Sequence, residues 1–237
     1  MDSQLIIPKE SKANLASTWK IYKSQWKTFL ALTGFLALAS LIYAIVDSII
    51  GAFGLVPISV LTYSDYEYIG IGALIASIVI RAPIYLIYYV VISLLTVLYM
   101  VIPALYFKNK EVITWKVPYI VLKKNFIRYL FAGILYFAAV LIGIALCFIP
   151  GIVISFIGPT YVNKIACSDM PIMEAFTSSF QAVFKSPNFW SYIGMQFLGA
   201  LIYIIPTICT CGIGSIITLP MLSIYSQHLA YNKGIIN

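Results

Sequence analysis

The chain has 237 residues, of which 62% are hydrophobic and only 10% charged, and its formal net charge is +7. A soluble domain carries about a quarter charged residues, and a soluble chain of this length could not hide so much apolar surface from water. The composition excludes an ordinary soluble fold. It predicts an all-α membrane bundle of about six transmembrane helices in a single domain, 1–237. The basic charge does not point to nucleic acid, because the segments between apolar runs are too short to hold a reading module.

Residues 1–28 read as a cytoplasmic amphipathic segment. From Ser11 to Lys27, Leu15, Trp19, Tyr22 and Trp26 recur at helical spacing, with Lys20, Lys23 and Lys27 between them. Two compatible readings stand: this helix lies in the membrane interface with its rings at headgroup depth, or it packs on the bundle. A first hairpin is expected over 29–107. Its first span runs from Phe29 to Phe53 and its second from Ile84 to Phe107, with an outer insertion at about 46–83. A crossing needs about 20 residues, so Ile69–Ile80 is expected to be re-entrant or interfacial.

A second hairpin is expected over 108–166. Its basic leader contains Lys116, Pro118, Lys123 and Lys124; the third span, Tyr129–Ile149, turns at Pro150-Gly151 and returns to Ala166. A third hairpin and tail occupy 167–237. Pro171–Lys185 is an amphipathic helix with Ile172, Phe176, Ser179, Val183 and Phe184 on one face, and Ser168 or Asp169 suits its start. The fifth span, Phe189–Ile208, turns at Cys211-Gly212, and the sixth ends near Leu229. Every Lys and Arg except Arg81 falls in segments that six spans place on one side. The positive-inside rule makes that side cytoplasmic, together with both termini.

The leaders Ile21-Tyr22-Lys23-Ser24-Gln25-Trp26, Val121-Leu122-Lys123-Lys124-Asn125-Phe126 and Val183-Phe184-Lys185-Ser186-Pro187-Asn188-Phe189 resemble one another. Cys147 and Cys209 lie 24 residues after Lys123 and Lys185, respectively. The returning spans carry Pro103 then Tyr106, Pro159 then Tyr161, and Pro220 then Tyr225. These matches predict an internal repeat of three units. Lysines of the leaders, Lys185 among them, snorkel to lipid phosphate, which makes anionic lipid an expected partner. Pro103, Pro159 and Pro220 each free a carbonyl; the resulting kinks either open a cavity or adjust packing.

Catalytic chemistry is not expected. The only histidine is His228, read as an interfacial side chain, and there is no phosphate-binding glycine loop. Four cysteines without paired spacing argue against zinc, so neither metal nor cofactor is predicted, and the cysteines read as small packing residues. A bridge between Cys147 and Cys209 is conceivable. Ionisable groups within apolar spans are functional candidates by default; Asp47, Asp65 or Glu67 is expected to pair with Arg81.

The run Cys147-Phe148-Ile149-Pro150-Gly151, followed by a span ending near Asn163 and then Glu174-Ala175-Phe176, Ser178-Ser179-Phe180 and Phe184-Lys185, resembles the bacterial membrane family that includes the membrane domain of some glycerophosphoryl diester phosphodiesterases. The resemblance covers about Ile120 to the C-terminus. It implies a multi-helix module of a bacterial plasma (inner) membrane, often standing alone. The phosphodiesterase domain with its acidic and histidine metal ligands is absent here, so that activity is not implied. The resulting expectation is a non-enzymatic accessory or scaffold protein contacting lipid and a protein partner or second copy. The alternative is a transporter or channel for a small or lipid-like molecule.

Overall fold

The computed structural model describes residues 7–8, 11–52, 71–168 and 170–236. Among them are seven helices and no strand: α1 Leu15–Ala52, α2 Ile71–Asn109, α3 Lys116–Leu146, α4 Phe148–Cys167, α5 Ile172–Phe184, α6 Phe189–Cys209 and α7 Ser215–Asn232. Four of them, α1, α2, α3 and α6, are long and apolar enough to cross a membrane. Their described surfaces fit that role, since Phe35, Leu38, Leu41, Leu86, Ile87, Ile127, Phe131, Leu201, Ile202 and Ile205 are all exposed. Side chains of this kind facing outward in numbers suit a hydrocarbon solvent and penalise a watery one.

Several expected boundaries move. The leader and first span are one continuous helix, α1, because nothing between Lys27 and Phe29 interrupts it; the leader is not a separate interfacial element. Residues 71–80 are the opening turns of the 39-residue α2 and not a separate re-entrant or interfacial helix. The Arg81-Ala82-Pro83 sequence that follows Ile80 lies inside that helix, with the charge of Arg81 met by a carboxylate. Between the third and fourth spans the chain turns at Cys147, whose backbone is extended (φ −168°, ψ 141°), and not at Pro150-Gly151. Pro150 lies in the first turn of α4, where its missing N–H forfeits no helical bond. The turn after α6 does lie at Cys211 and Gly212, with φ of 50° and 91°. Ser168 gives its hydroxyl to the Lys164 carbonyl at the end of α4 and does not cap α5, which begins at Pro171 without a side-chain cap. Asp169 lies outside the described residues.

The described chain divides into two compact units: Met1–Thr33 with Ser93–Asn237, and Gly34–Ile92. In the larger unit α4 packs against α3, α5, α6 and α7, and α6 packs along α7. From Ser223 to Ala230 every residue of α7 is buried, so this stretch is enclosed, whereas Ile216, Ile217 and Leu219 near the start of the helix are exposed. The buried stripe of α5 is Ala175, Ser179 and Val183; Ser179 and Val183 lie on the expected face, while Ala175 falls outside it and Phe184, expected there, is exposed. The leader of α3 meets its span at Asn125, whose φ of −130° and ψ of 37° break the helix. Asn188, at the matching place, is the N-cap of α6.

Prolines in this interior leave carbonyls that hydroxyls from other helices seal. Pro159 has no N–H to give Ser155, and the Tyr136 hydroxyl donates to the Ser155 carbonyl at 2.9 Å. Pro103 likewise frees Tyr99, whose carbonyl accepts the Ser223 hydroxyl at 3.0 Å. Tyrosines make the same kind of bond elsewhere: Tyr161 donates to Ala132 at 3.2 Å, Tyr192 to Phe156 at 2.9 Å and Tyr225 to Met195 at 3.2 Å. Glycines make room for these rings. A Cβ on Gly158 would lie 2.4 Å from the Tyr136 hydroxyl, and one on Gly199 would lie 2.3 Å from the Tyr225 ring. At the Cys147 turn, a Cβ on Gly151 would meet Ile144 at 2.3 Å, so this glycine sets the close approach of α3 and α4.

Tyr136→Phe is expected to destabilise the protein by about 1–2 kcal/mol, because the Ser155 carbonyl loses its donor. In Pro159→Ala the helix can supply its own N–H, so the same Tyr136→Phe change should then cost clearly less. A double-mutant cycle read by thermal unfolding in detergent measures the coupling.

Candidate functional site

In the smaller unit, α1 and α2 run antiparallel. Ser40 faces Tyr88, Tyr43 faces Tyr85 and Tyr88, and Asp47 faces Arg81. These residues lie at helical spacing along one stripe of each helix. Arg81 Nη1 donates to Asp47 Oδ1 at 2.5 Å; Arg81 is 1% exposed and Asp47 27%. Of the three carboxylates expected for Arg81, the structure brings Asp47 to it, while Asp65 and Glu67 lie outside the described residues. One turn from the pair sits a tyrosine cluster, with the Tyr43 ring stacked on Tyr88 at 4.3 Å and tilted against Tyr85 at 5.4 Å between ring centroids. The arrangement lets an arginine lie in an apolar setting at low cost, since its charge is answered where it is buried. It also commits Asp47 to structure.

The larger unit holds a buried polar core. The Gln196 amide donates to the Tyr192 hydroxyl at 3.0 Å, and the Ser226 hydroxyl donates to Gln196 Oε1 at 2.9 Å. Asn163 donates to the Tyr231 hydroxyl at 2.6 Å. His228, expected at the interface, is fully buried. Its Nε2 lies 3.2 Å from the Ser11 hydroxyl and its ring 5.0 Å from Phe107, because the segment holding Ser11 covers the end of α7. Ile7 donates to the Tyr106 hydroxyl and Asn232 to the Ser11 carbonyl, which fasten that cover. Gln25 is buried on α1, and its amide meets no hydrogen-bond partner among the described residues.

The expected headgroup residues lie on the surface. Lys20, Lys23, Lys27, Lys116, Lys123, Lys124 and Lys185 are exposed, as are Trp19 and Trp26. Lys23 lies over Trp19 at 5.3 Å and Lys27 over Trp26 at 5.8 Å, a stacking that suits amphipathic side chains at a boundary. Pro159 and Pro220 sit inside helices that continue through them, and Pro103 lies within α2. All four cysteines are free. Cys147, Cys209 and Cys211 are exposed and so do not act as core packing residues.

Three further cations gather at the end of α4. Lys108 donates to the Cys167 carbonyl at 2.9 Å, Arg128 donates to Ser168 at 2.9 Å and Met170 at 2.7 Å, and Lys164 donates to the Ser178 hydroxyl at 2.9 Å. The sequence marks Lys108 and Arg128 only as the ends of a basic segment, and for Lys164 it offers only the hint of a lysine near the end of an otherwise apolar run. Among the described residues no group of three or more His, Cys, Asp or Glu side chains could hold a metal ion. Comparison with protein-family models, curated proteins and solved structures found no match for this chain.

Asp47→Asn is expected to cost about 3 kcal/mol, because it leaves a buried guanidinium without its carboxylate. Arg81→Gln should cost less, since the remaining Asp47 is partly exposed. The double variant should recover stability relative to Asp47→Asn. Unfolding midpoints in detergent compare the three.

Proposed function

We propose that this chain is an integral membrane protein of a bacterial plasma membrane, with six spans in three hairpins, and that it serves as a non-catalytic accessory or scaffold component. The observation that carries this reading is the distribution of polarity. Apolar side chains cover the outside of the long helices, while tyrosine, serine, asparagine and glutamine hydroxyls and amides inside are used to join one helix to another. Such an interior supports a fixed shape that presents surfaces to lipid and protein. In this reading α4 and α7 are the remaining two spans. Their neighbours bury residues 157–163 of α4 and 223–230 of α7, which lets these stretches carry Asn163, Gln227 and His228, while Ile149, Ile216, Ile217 and Leu219 stay exposed.

The three leaders are copies of one repeat in which a lysine-bearing amphipathic turn enters a span. The basic ends face the cytoplasm, with both termini on that side. The resemblance to the membrane domain of glycerophosphoryl diester phosphodiesterases agrees with a stand-alone membrane module and carries no phosphodiester chemistry. Transport is the second reading, and the buried Gln25 amide favours it, because an unmatched amide in a dry interior costs about 1–3 kcal/mol.

Two measurements test this. In intact spheroplasts, a membrane-impermeant maleimide should label single-cysteine variants retaining Cys147 or Cys211, and should reach Lys185→Cys in a cysteine-free background only after lysis. The reverse pattern would overturn the orientation. Proteoliposomes should be no more permeable to ions and small polyols than protein-free vesicles. A flux abolished by Gln25→Leu would replace the scaffold reading with transport.

A further inference from the structure

The cations at the end of α4 come from three different helices, Lys108 from α2, Arg128 from α3 and Lys164 from α4 itself. Lys108 and Arg128 hold consecutive carbonyls, those of Cys167 and Ser168, and Lys164 stands one turn back on the same helix, so the charges share one small region. Every polar partner recorded for them is a neutral oxygen. Among the described residues none of the three forms an ion pair. The carbonyl end of a helix is worth only about half a negative charge, which leaves most of the positive charge here unanswered. Asp169, next in sequence to Ser168, lies outside the described residues. The carbonyl bonds tie the Lys108 ammonium and the Arg128 guanidinium to neighbouring residues of the chain, and each cation keeps further N–H donors beyond those bonds.

A wholly aqueous acceptor would not account for the surroundings. Ile127 and Phe131 flank Arg128 on α3, and they are 68% and 57% exposed. Cations at a span's end beside bare apolar side chains match a molecule that carries a phosphate and hydrocarbon together. We propose that Lys108, Arg128 and Lys164 form a specific binding site for the phosphate of an anionic phospholipid, with Ile127 and Phe131 against its acyl chains. This rests on the membrane reading above and adds a particular site to it. Its residues differ from the exposed lysines of the leaders, which face the headgroup layer without convergent geometry.

Native mass spectrometry of the full-length protein, offered equal amounts of dioleoylphosphatidylglycerol and dioleoylphosphatidylcholine in detergent, should show phosphatidylglycerol retained preferentially. Each of Lys108→Gln, Arg128→Gln and Lys164→Gln should weaken that retention about fivefold, the effect of about one surface charge. Lys123→Gln with Lys124→Gln should leave it nearly unchanged. Circular dichroism checks that each variant is folded, and competition between the two lipids on the unaltered protein tests the site without any variant. Equal retention of both lipids by the unaltered protein overturns the proposal. So does an equal loss in the Lys123/Lys124 variant, which would mean diffuse attraction, or displacement of the lipid by millimolar inorganic phosphate, which would mean a free-phosphate site. Failure of the membrane reading itself has a separate signature: the protein would stay monomeric in buffer without detergent.

Discussion

A backbone carbonyl inside a bundle like this one must find its donor within the protein. Hydrocarbon supplies none outside, and a dry interior supplies none within. The fold depends on how that demand is met. Pro103 and Pro159 each withdraw a helical N–H, and Ser223 and Tyr136 on neighbouring helices provide the replacement. Each replacement joins two helices where an ordinary helical hydrogen bond would have served only one. A proline that would weaken an isolated helix thereby fixes where its neighbour must sit. Tyr161, Tyr192 and Tyr225 extend the same bonding to α3, α4 and α6.

Tyrosine suits this work because its apolar ring fills space between helices while its hydroxyl reaches a backbone. The ring needs room, and glycine provides it. Gly158 and Gly199 lie where a methyl group would strike Tyr136 and Tyr225. Charge obeys the same rule as the carbonyls. Arg81 is tolerated because Asp47 meets it, and the cations Lys108 and Arg128 satisfy the last carbonyls of α4. Buried polarity in this protein is thus mostly paired across elements, and unanswered positive charge remains on the basic surface.

The leaders illustrate how one sequence pattern adapts to its surroundings. At the equivalent amide position, Gln25 continues its helix, Asn125 interrupts it and Asn188 begins a new one. The lysines around them, Lys23, Lys123, Lys124 and Lys185, stay at the surface in all three cases, whereas the aromatic residues divide: Trp26 and Phe126 are exposed and Phe189 packs partly against the core. Where the leader joins its span without a break, the amide is carried inside; where it breaks, the amide stays exposed. Local composition decides that a boundary segment forms, and packing decides the angle at which it meets the span.

Composition alone determined the membrane character of the chain, because apolar content is a sum that no arrangement of residues changes. Periodicity found Ser179 and Val183 of the buried stripe of α5, and the scarcity of charge in the spans put Asp47 among three candidate partners of Arg81. Both signals are local or rest on rarity, so they survive without coordinates. Other features were not legible. Pro150-Gly151 resembles a turn, yet the chain reverses one residue before Phe148, since a proline in a helix's first turn loses nothing. His228 looked interfacial because its burial depends on contacts such as that with Ser11, more than two hundred positions away. The meeting of Lys108, Arg128 and Lys164 depends on three helices ending together. Tertiary structure alone decides such convergence, because spacing along a chain fixes which face of a helix a residue occupies and says nothing about which other helix that face will meet.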